Sequence, residues 1–273
     1  MCGRFTLRAP ASTVAEQFQL LDVEPFGPRF NVAPTQTVAV VRAMPEGGEP
    51  RPRGPVSPRP ATRVSERRDH VIRQLAWLKW GLIPSWAKDP AIGNSLINAR
   101  AESVADKPAF RTAFRRRRCL VVADGFYEWQ RTGAKKQPYF IRLRDDRPFG
   151  FAGLWESWEG PAGKKVSGTF LTDDVEGKRA GAVKKVPDTF LRLETCTIIT
   201  TGPNELMEKI HNRMPVILAP EAYDRWLDPA IEKSEQLTPL LRPYPSDAML
   251  ALAVSTHVNN PRNDDPECIV PAA

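Results

Sequence analysis

Residues 119–158 read CLVVADGFYEWQRTGAKKQPYFIRLRDDRPFGFAGLWESW. Residues 119–123 form a short apolar strand, and Asp124 with Gly125 signals a turn. Residues 126–131 and 138–143 alternate as strands on either side of a Thr-Gly-Ala-Lys-Lys turn. Residues 149–158 continue the same sheet. No helical period separates these strands, so they pair as neighbours rather than through βαβ crossovers.

On either side, strands are expected at 37–41, 71–80, 193–201, 214–218 and 248–255. A helix is expected over 12–21, where Thr13 and Glu16 have capping-box spacing and Val14, Phe18 and Leu21 share a face. Pro108 opens a short helix carrying Phe110 and Phe114, and Pro203 opens another that runs to residue 210. Further helical stretches lie at 220–227 and 232–241. The expected class is α+β: one domain over 1–273, with a curled, mostly antiparallel sheet or open β-barrel and peripheral short helices.

Composition agrees. The chain has 273 residues, 27 of them proline, a surplus that excludes a long-helix bundle because an internal proline costs a helix ~3 kcal/mol. Much of that surplus falls in 45–69, where proline alternates with arginine and no aromatic occurs. That segment and the Gly/Lys/Asp-rich stretch 159–190 are expected to be mobile insertions. No apolar run reaches the ~18 residues of a membrane span, and MCGRFTLR lacks the apolar core of a signal peptide. Four cysteines without close pairing fit a reducing compartment. The net charge of +7 permits a polyanionic partner without demanding one. Arg115, Arg116, Arg117 and Arg118 end a helix, where cations suit the dipole, so a structural role accounts for them.

Four features carry possible chemistry. Loss of Met1, expected before a small side chain, would leave Cys2 with an amine (pKa ~8) and a thiol (~8.5) on adjacent carbons. Neighbouring arginines would favour the thiolate. Such an aminothiol condenses with an aldehyde to a Schiff base and then closes a thiazolidine ring. The alternative is an incidental residue at a frayed terminus. Glu128, flanked by Tyr127 and Trp129, shares a strand face with Phe126 and Gln130. In a pocket, burial would raise its pKa and suit it to proton transfer; otherwise it pairs with an arginine. His211 stands at a helix-to-strand junction, where a structural role is also open. Asn98 and Arg100 would share a face of an extended segment, one offering donor and acceptor, the other a phosphate fork. His70 borders the Pro/Arg segment as a surface residue, and His257 lies in a polar loop, where a supporting role is open. No Gly-rich phosphate loop, paired CxxC or HExxH occurs, so neither a cofactor nor a metal is expected.

MCGRF (1–5), NVAP (31–34), WGLIPSW (80–86), INAR (97–100), DGFYEW (124–129), GLWE (153–156), TIITTGPN (197–204) and IHNRMPVIL (210–218) occur in that order. Together they resemble the SOS response-associated peptidase (SRAP) family of abasic-site processing proteins. The resemblance runs from Cys2 to Ile269. It implies capture of the ring-opened abasic aldehyde in single-stranded DNA by Cys2, as a thiazolidine crosslink that shields the lesion. By the same resemblance, Glu128 deprotonates the Cys2 amine, His211 transfers protons at the sugar and Schiff base, and Asn98 holds the adduct. Arg100 and Arg213 match phosphate-gripping positions, while Trp86 and the loop from Asn31 to Pro34 match the groove wall. The expectation is a monomeric, cytoplasmic bacterial protein, at the nucleoid when acting on DNA. Two other readings stand beside it: a thiol peptidase or self-processing hydrolase with Cys2 as nucleophile and His211 as base, and a non-covalent single-stranded DNA binder.

Overall fold

The computed structural model describes residues 2–44, 71–133, 135–160 and 192–272. The insertion expected at 45–69 lies outside them, as does all of 159–190 except its first two residues. Glu159 belongs to a strand rather than to an insertion.

The strands are β1 (Phe5–Leu7), β2 (Arg29–Val32), β3 (Thr37–Ala43), β4 (Arg73–Trp80), β5 (Asn98–Arg100), β6 (Arg118–Ala123) and β7 (Gly125–Thr132). They continue with β8 (Lys135–Leu143), β9 (Phe149–Glu159), β10 (Arg192–Thr201), β11 (Met214–Pro215), β12 (Ile217–Leu218) and β13 (Met249–Ala253). Helices α1 (Ala11–Phe18), α2 (Arg111–Arg116), α3 (Glu205–Glu208) and α4 (Tyr223–Leu227) are all short. The α+β class holds.

The strands form two sheets. One, in the order β13-β8-β7-β1-β2, is antiparallel throughout. In the other, the path β10-β4-β3-β6-β9 closes on itself, because β9 and β10 pair from Arg192↔Glu159 to Ile198↔Gly153. The β4–β10 contact is parallel, so the barrel is mixed. It is closed rather than open because both closing strands are long enough to meet after serving their other neighbours.

Alternation sorts the barrel residues into two cores. Val41, Leu120, Val122 and Leu154 point to a face covered by Val14 and Phe18 of α1, Phe114 of α2 and Trp226 of α4. Val40, Trp80, Val121, Phe151 and Ile198 point the other way and meet Phe5, Phe126 and Ile141 of the five-stranded sheet. Asp124 marks the step from one sheet to the other, between β6 and β7.

The first helix corrects its expectation. It starts after Pro10 with no side-chain cap, so Thr13 and Glu16 form no capping box. Gln19, left-handed at φ 55°, stops it before Leu21, which is 85% exposed. The expected strand at 214–218 breaks into β11 and β12, and the expected helix from Pro203 shrinks to the single turn of α3.

Candidate active site

The N-terminal arm is wedged between two parts of the five-stranded sheet. Phe5 in β1 pairs with Val32 of β2 on one side and Phe126 of β7 on the other. Asp124, almost wholly buried, secures the arm by accepting from the Thr6 hydroxyl and from the backbone N–H groups of Arg8 and Ala9. As a turn signal it was legible; as the anchor of the arm it was not. The Arg4 guanidinium donates to Asn31 Oδ1 at 2.9 Å and Val258 O at 3.0 Å. So held, Cys2 is fully buried among the residues where the two sheets meet. Met1 lies outside the described residues.

Asn98 reaches Cys2 directly: its Nδ2 donates to the Cys2 carbonyl at 2.8 Å. Its strand is set by β10, with Ile198↔Asn98 and Thr200↔Arg100, and by Trp80, whose Nε1 donates to Ile97 O at 2.8 Å. Asn98 Oδ1 is buried and has no hydrogen-bond partner among the described residues. Such an acceptor is costly unless a substrate donor meets it.

Glu128 sits in β7 opposite Tyr139 and is buried. Its neighbours turn the other way. The Tyr127 hydroxyl donates to Phe30 O at 2.7 Å and Trp129 Nε1 to Asn259 Oδ1 at 2.7 Å. This is the face alternation that the period of two predicts. Gln130, on the Glu128 side, donates from Nε2 to Lys209 O at 2.7 Å and accepts from the Tyr139 hydroxyl at 3.2 Å. It thereby ties β7 to the turn that carries His211, a role the sequence reading did not assign. The Arg213 N–H donates to His211 Nδ1 at 3.1 Å. The same Nδ1 lies 3.2 Å from the Arg213 carbonyl oxygen.

The electrostatics connect the set. Burial raises the Glu128 carboxyl above its ordinary value, and the charge of His211 opposes that rise. Burial also pushes the Cys2 thiol well up; Glu128 adds to the rise, and the backbone N–H of Arg4 offsets part of it. The expectation that arginines favour the thiolate is therefore corrected: burial dominates, and Arg4 acts on the thiol through its backbone N–H and not through its charge. Cys2, Asn98, Glu128 and His211 come from four separate segments and converge here.

Residues expected at DNA divide. Arg100 is exposed and makes no ion pair among the described residues. Arg213 is 17% exposed and spans both oxygens of Glu102. Trp86 stands 59% exposed on a turn, and Pro34 is half-buried in the turn between β2 and β3. Asn31 is fully buried and donates to the carbonyls of Val258, Asn260 and Asn263, so its side chain braces that loop from within. His257 supports the same loop. Asn263 Nδ2 donates to both His257 O and Nδ1, which leaves the ring proton on Nε2, facing Asp265 at 3.0 Å. Cys268 lies within 4.8 Å of this pair, and the cluster reads as a hydrogen-bonded brace. In the arginine run, Arg116 pairs with Glu232 and Arg117 with Glu156. Arg118 is buried against the carbonyls of Phe114, Trp226 and Asp228, which lowers its pKa to about 10. The structural account of that run stands.

Comparison with known proteins identifies the family. Residues 1–261 match the family described as SOS response associated peptidase (SRAP). The chain is 40% identical to the abasic site processing protein YoqW of Bacillus subtilis, over 98% of this chain and 99% of that protein. It is 34% identical to the abasic site processing protein HMCES of Gallus gallus, over 76% of this chain and 60% of that one. A crystal structure of a Bacteroides thetaiotaomicron protein shares the fold with a TM-score of 0.69 at 24% identity, covering both chains in full. The match across the length of the chain, with the four converging residues in one fold, makes this protein a member of the SRAP family.

Proposed function

We propose that this protein captures abasic sites in single-stranded DNA covalently, through Cys2 once Met1 has been removed. The observation that carries the reading is the Asn98 bond to the Cys2 carbonyl, with Glu128 beside the thiol and His211 beside Glu128. Its relatives' names point to the same lesion.

In this reaction the Cys2 amine attacks the C1′ aldehyde of the ring-opened sugar. Glu128 takes the two amine protons in turn, and His211 passes two to the aldehyde oxygen, which leaves as water, so a neutral Schiff base forms. The thiol then adds across the C=N bond, sulfur to carbon and proton to nitrogen, and closes the thiazolidine. Asn98 holds the Cys2 carbonyl throughout, and its free Oδ1 accepts from the incoming sugar or amine. Both steps are nucleophilic additions coupled to proton transfers, with no net change of oxidation state. Arg100 and Arg213 contact flanking phosphates, which fixes position without reading sequence. Trp86 offers a face on which a base stacks, worth ~1–3 kcal/mol.

The test is incubation with abasic single-stranded DNA followed by denaturing electrophoresis. Wild type gives a shifted band that Cys2→Ala lacks. Glu128→Ala and His211→Ala slow its appearance by ~100-fold or more with DNA affinity kept, whereas Arg100→Ala mainly weakens binding. A band that persists in Cys2→Ala, or equal loss of binding in all three other variants, overturns the assignment.

A further inference from the structure

Glu102 follows β5 by two residues and holds the guanidinium of Arg213 from both sides. Its Oε1 accepts from Nη1 at 2.7 Å and its Oε2 from Nη2 at 3.0 Å. Nη2 also donates to Thr200 O at 2.7 Å, and Thr200 is the register partner of Arg100 across β5 and β10. The pair is asymmetric in its surroundings. Arg213 is 17% exposed and tethered to the barrel, while Glu102 is 56% exposed, and among the described residues its side chain pairs with Arg213 and with its own backbone N–H. The Arg213 hydrogen bonds hold the Glu102 carboxyl below its usual range, with Arg100 adding a smaller pull, so it is anionic at neutral pH. A carboxylate across a guanidinium fork presents two anionic oxygens in the geometry that a phosphate would present.

We propose that Glu102 is a built-in phosphate mimic that gates Arg213. In the free protein it fills the fork, and a backbone phosphate of an entering strand displaces it, while the Thr200 carbonyl keeps the guanidinium aimed. The inference rests on the reading of Arg213 as a phosphate contact. Its consequence is selectivity. Every strand must evict the carboxylate, which weakens transient binding to undamaged DNA, whereas a lesion held covalently at Cys2 is retained regardless. The carboxylate thus offsets part of the generic attraction of a chain with net charge +7.

The experiment measures binding of an undamaged single-stranded oligonucleotide by fluorescence anisotropy across a salt series. Wild type, Glu102→Gln, Arg213→Gln and the double variant are compared. Glu102→Gln, which keeps the shape and removes the charge, should bind about three- to tenfold tighter than wild type. Its log–log salt slope should steepen by up to ~0.7, one more phosphate contact made in full. In the Arg213→Gln background the same Glu102 change should have no effect on affinity. Glu102→Gln binding no tighter than wild type, with Arg213→Gln still weakening binding, would make Glu102 a mere support for the arginine and overturn the gate alone. If Arg213→Gln leaves binding unchanged in both backgrounds, the phosphate reading of Arg213 falls as well.

Discussion

Burial of Glu128 works against the fold when its carboxyl is ionised. The residue is buried beside Cys2, and burial raises its pKa above the unfolded value. The folded state therefore favours the protonated form. The cost is absent below the ordinary glutamate range near ~4.3, grows as pH rises towards the raised value, and is fully present above it. Glu128→Gln should consequently unfold at a higher temperature than wild type at pH 7. That advantage should vanish in melts near pH 4, while crosslinking is lost at both. A Gln variant less stable at pH 7 would mean that the carboxylate is a structural partner, not a group held ready for proton transfer. Its placement was legible because a period of two fixes the face of a strand residue once Phe126 is known to be buried. The roles of Asn31, Asp124 and Glu102 were not. Each depends on a partner far away in the chain: Asp264 is 233 positions from Asn31, Ala9 is 115 from Asp124, and Arg213 is 111 from Glu102.

Among the elements, the long strands announced themselves and the short ones did not. β7, β8 and β9 alternate over enough residues to give a signal, whereas β1, β2 and β5 span three or four residues each. Those three nevertheless carry the approach to Cys2, Asn31 and Asn98. Their positions come from pairing with longer neighbours, which no local pattern records. The segment between β4 and β5 shows how tightly that pairing is specified. Gly81 adopts φ +128°, and a Cβ there would lie 2.6 Å from Gly93 O; a Cβ on Gly93 would meet Gly81 O at 2.7 Å. Only paired glycines let the chain turn from Trp80 and bring Asn98 to the site. Gly81→Ala should destabilise by at least ~2 kcal/mol in denaturant titrations, against ~0.5 kcal/mol or less for Gly27→Ala, where the Cβ meets open space. Equal effects of the two would show that this close approach is not required.

Across the molecule, several of the described arginines are spent on the fold. Arg4, Arg73 and Arg118 donate to backbone carbonyls in or near the core, and Arg116 and Arg117 are paired. The family was legible from eight short motifs in order, four of which supply Cys2, Asn98, Glu128 and His211. Composition alone carried far less, since it cannot tell a buried guanidinium from one facing DNA. What the proposed function requires of the whole assembly is a single covalent product at a single residue. Mass spectrometry of the N-terminal peptide after reaction with abasic single-stranded DNA and nuclease digestion tests this most directly. The expected product lacks Met1, carries the sugar remnant on Cys2 with loss of one water, and gains no mass on borohydride treatment, because a thiazolidine has no C=N bond to reduce. A remnant on a lysine, an adduct that takes up two hydrogens, or a peptide that retains Met1 and carries no remnant would contradict it.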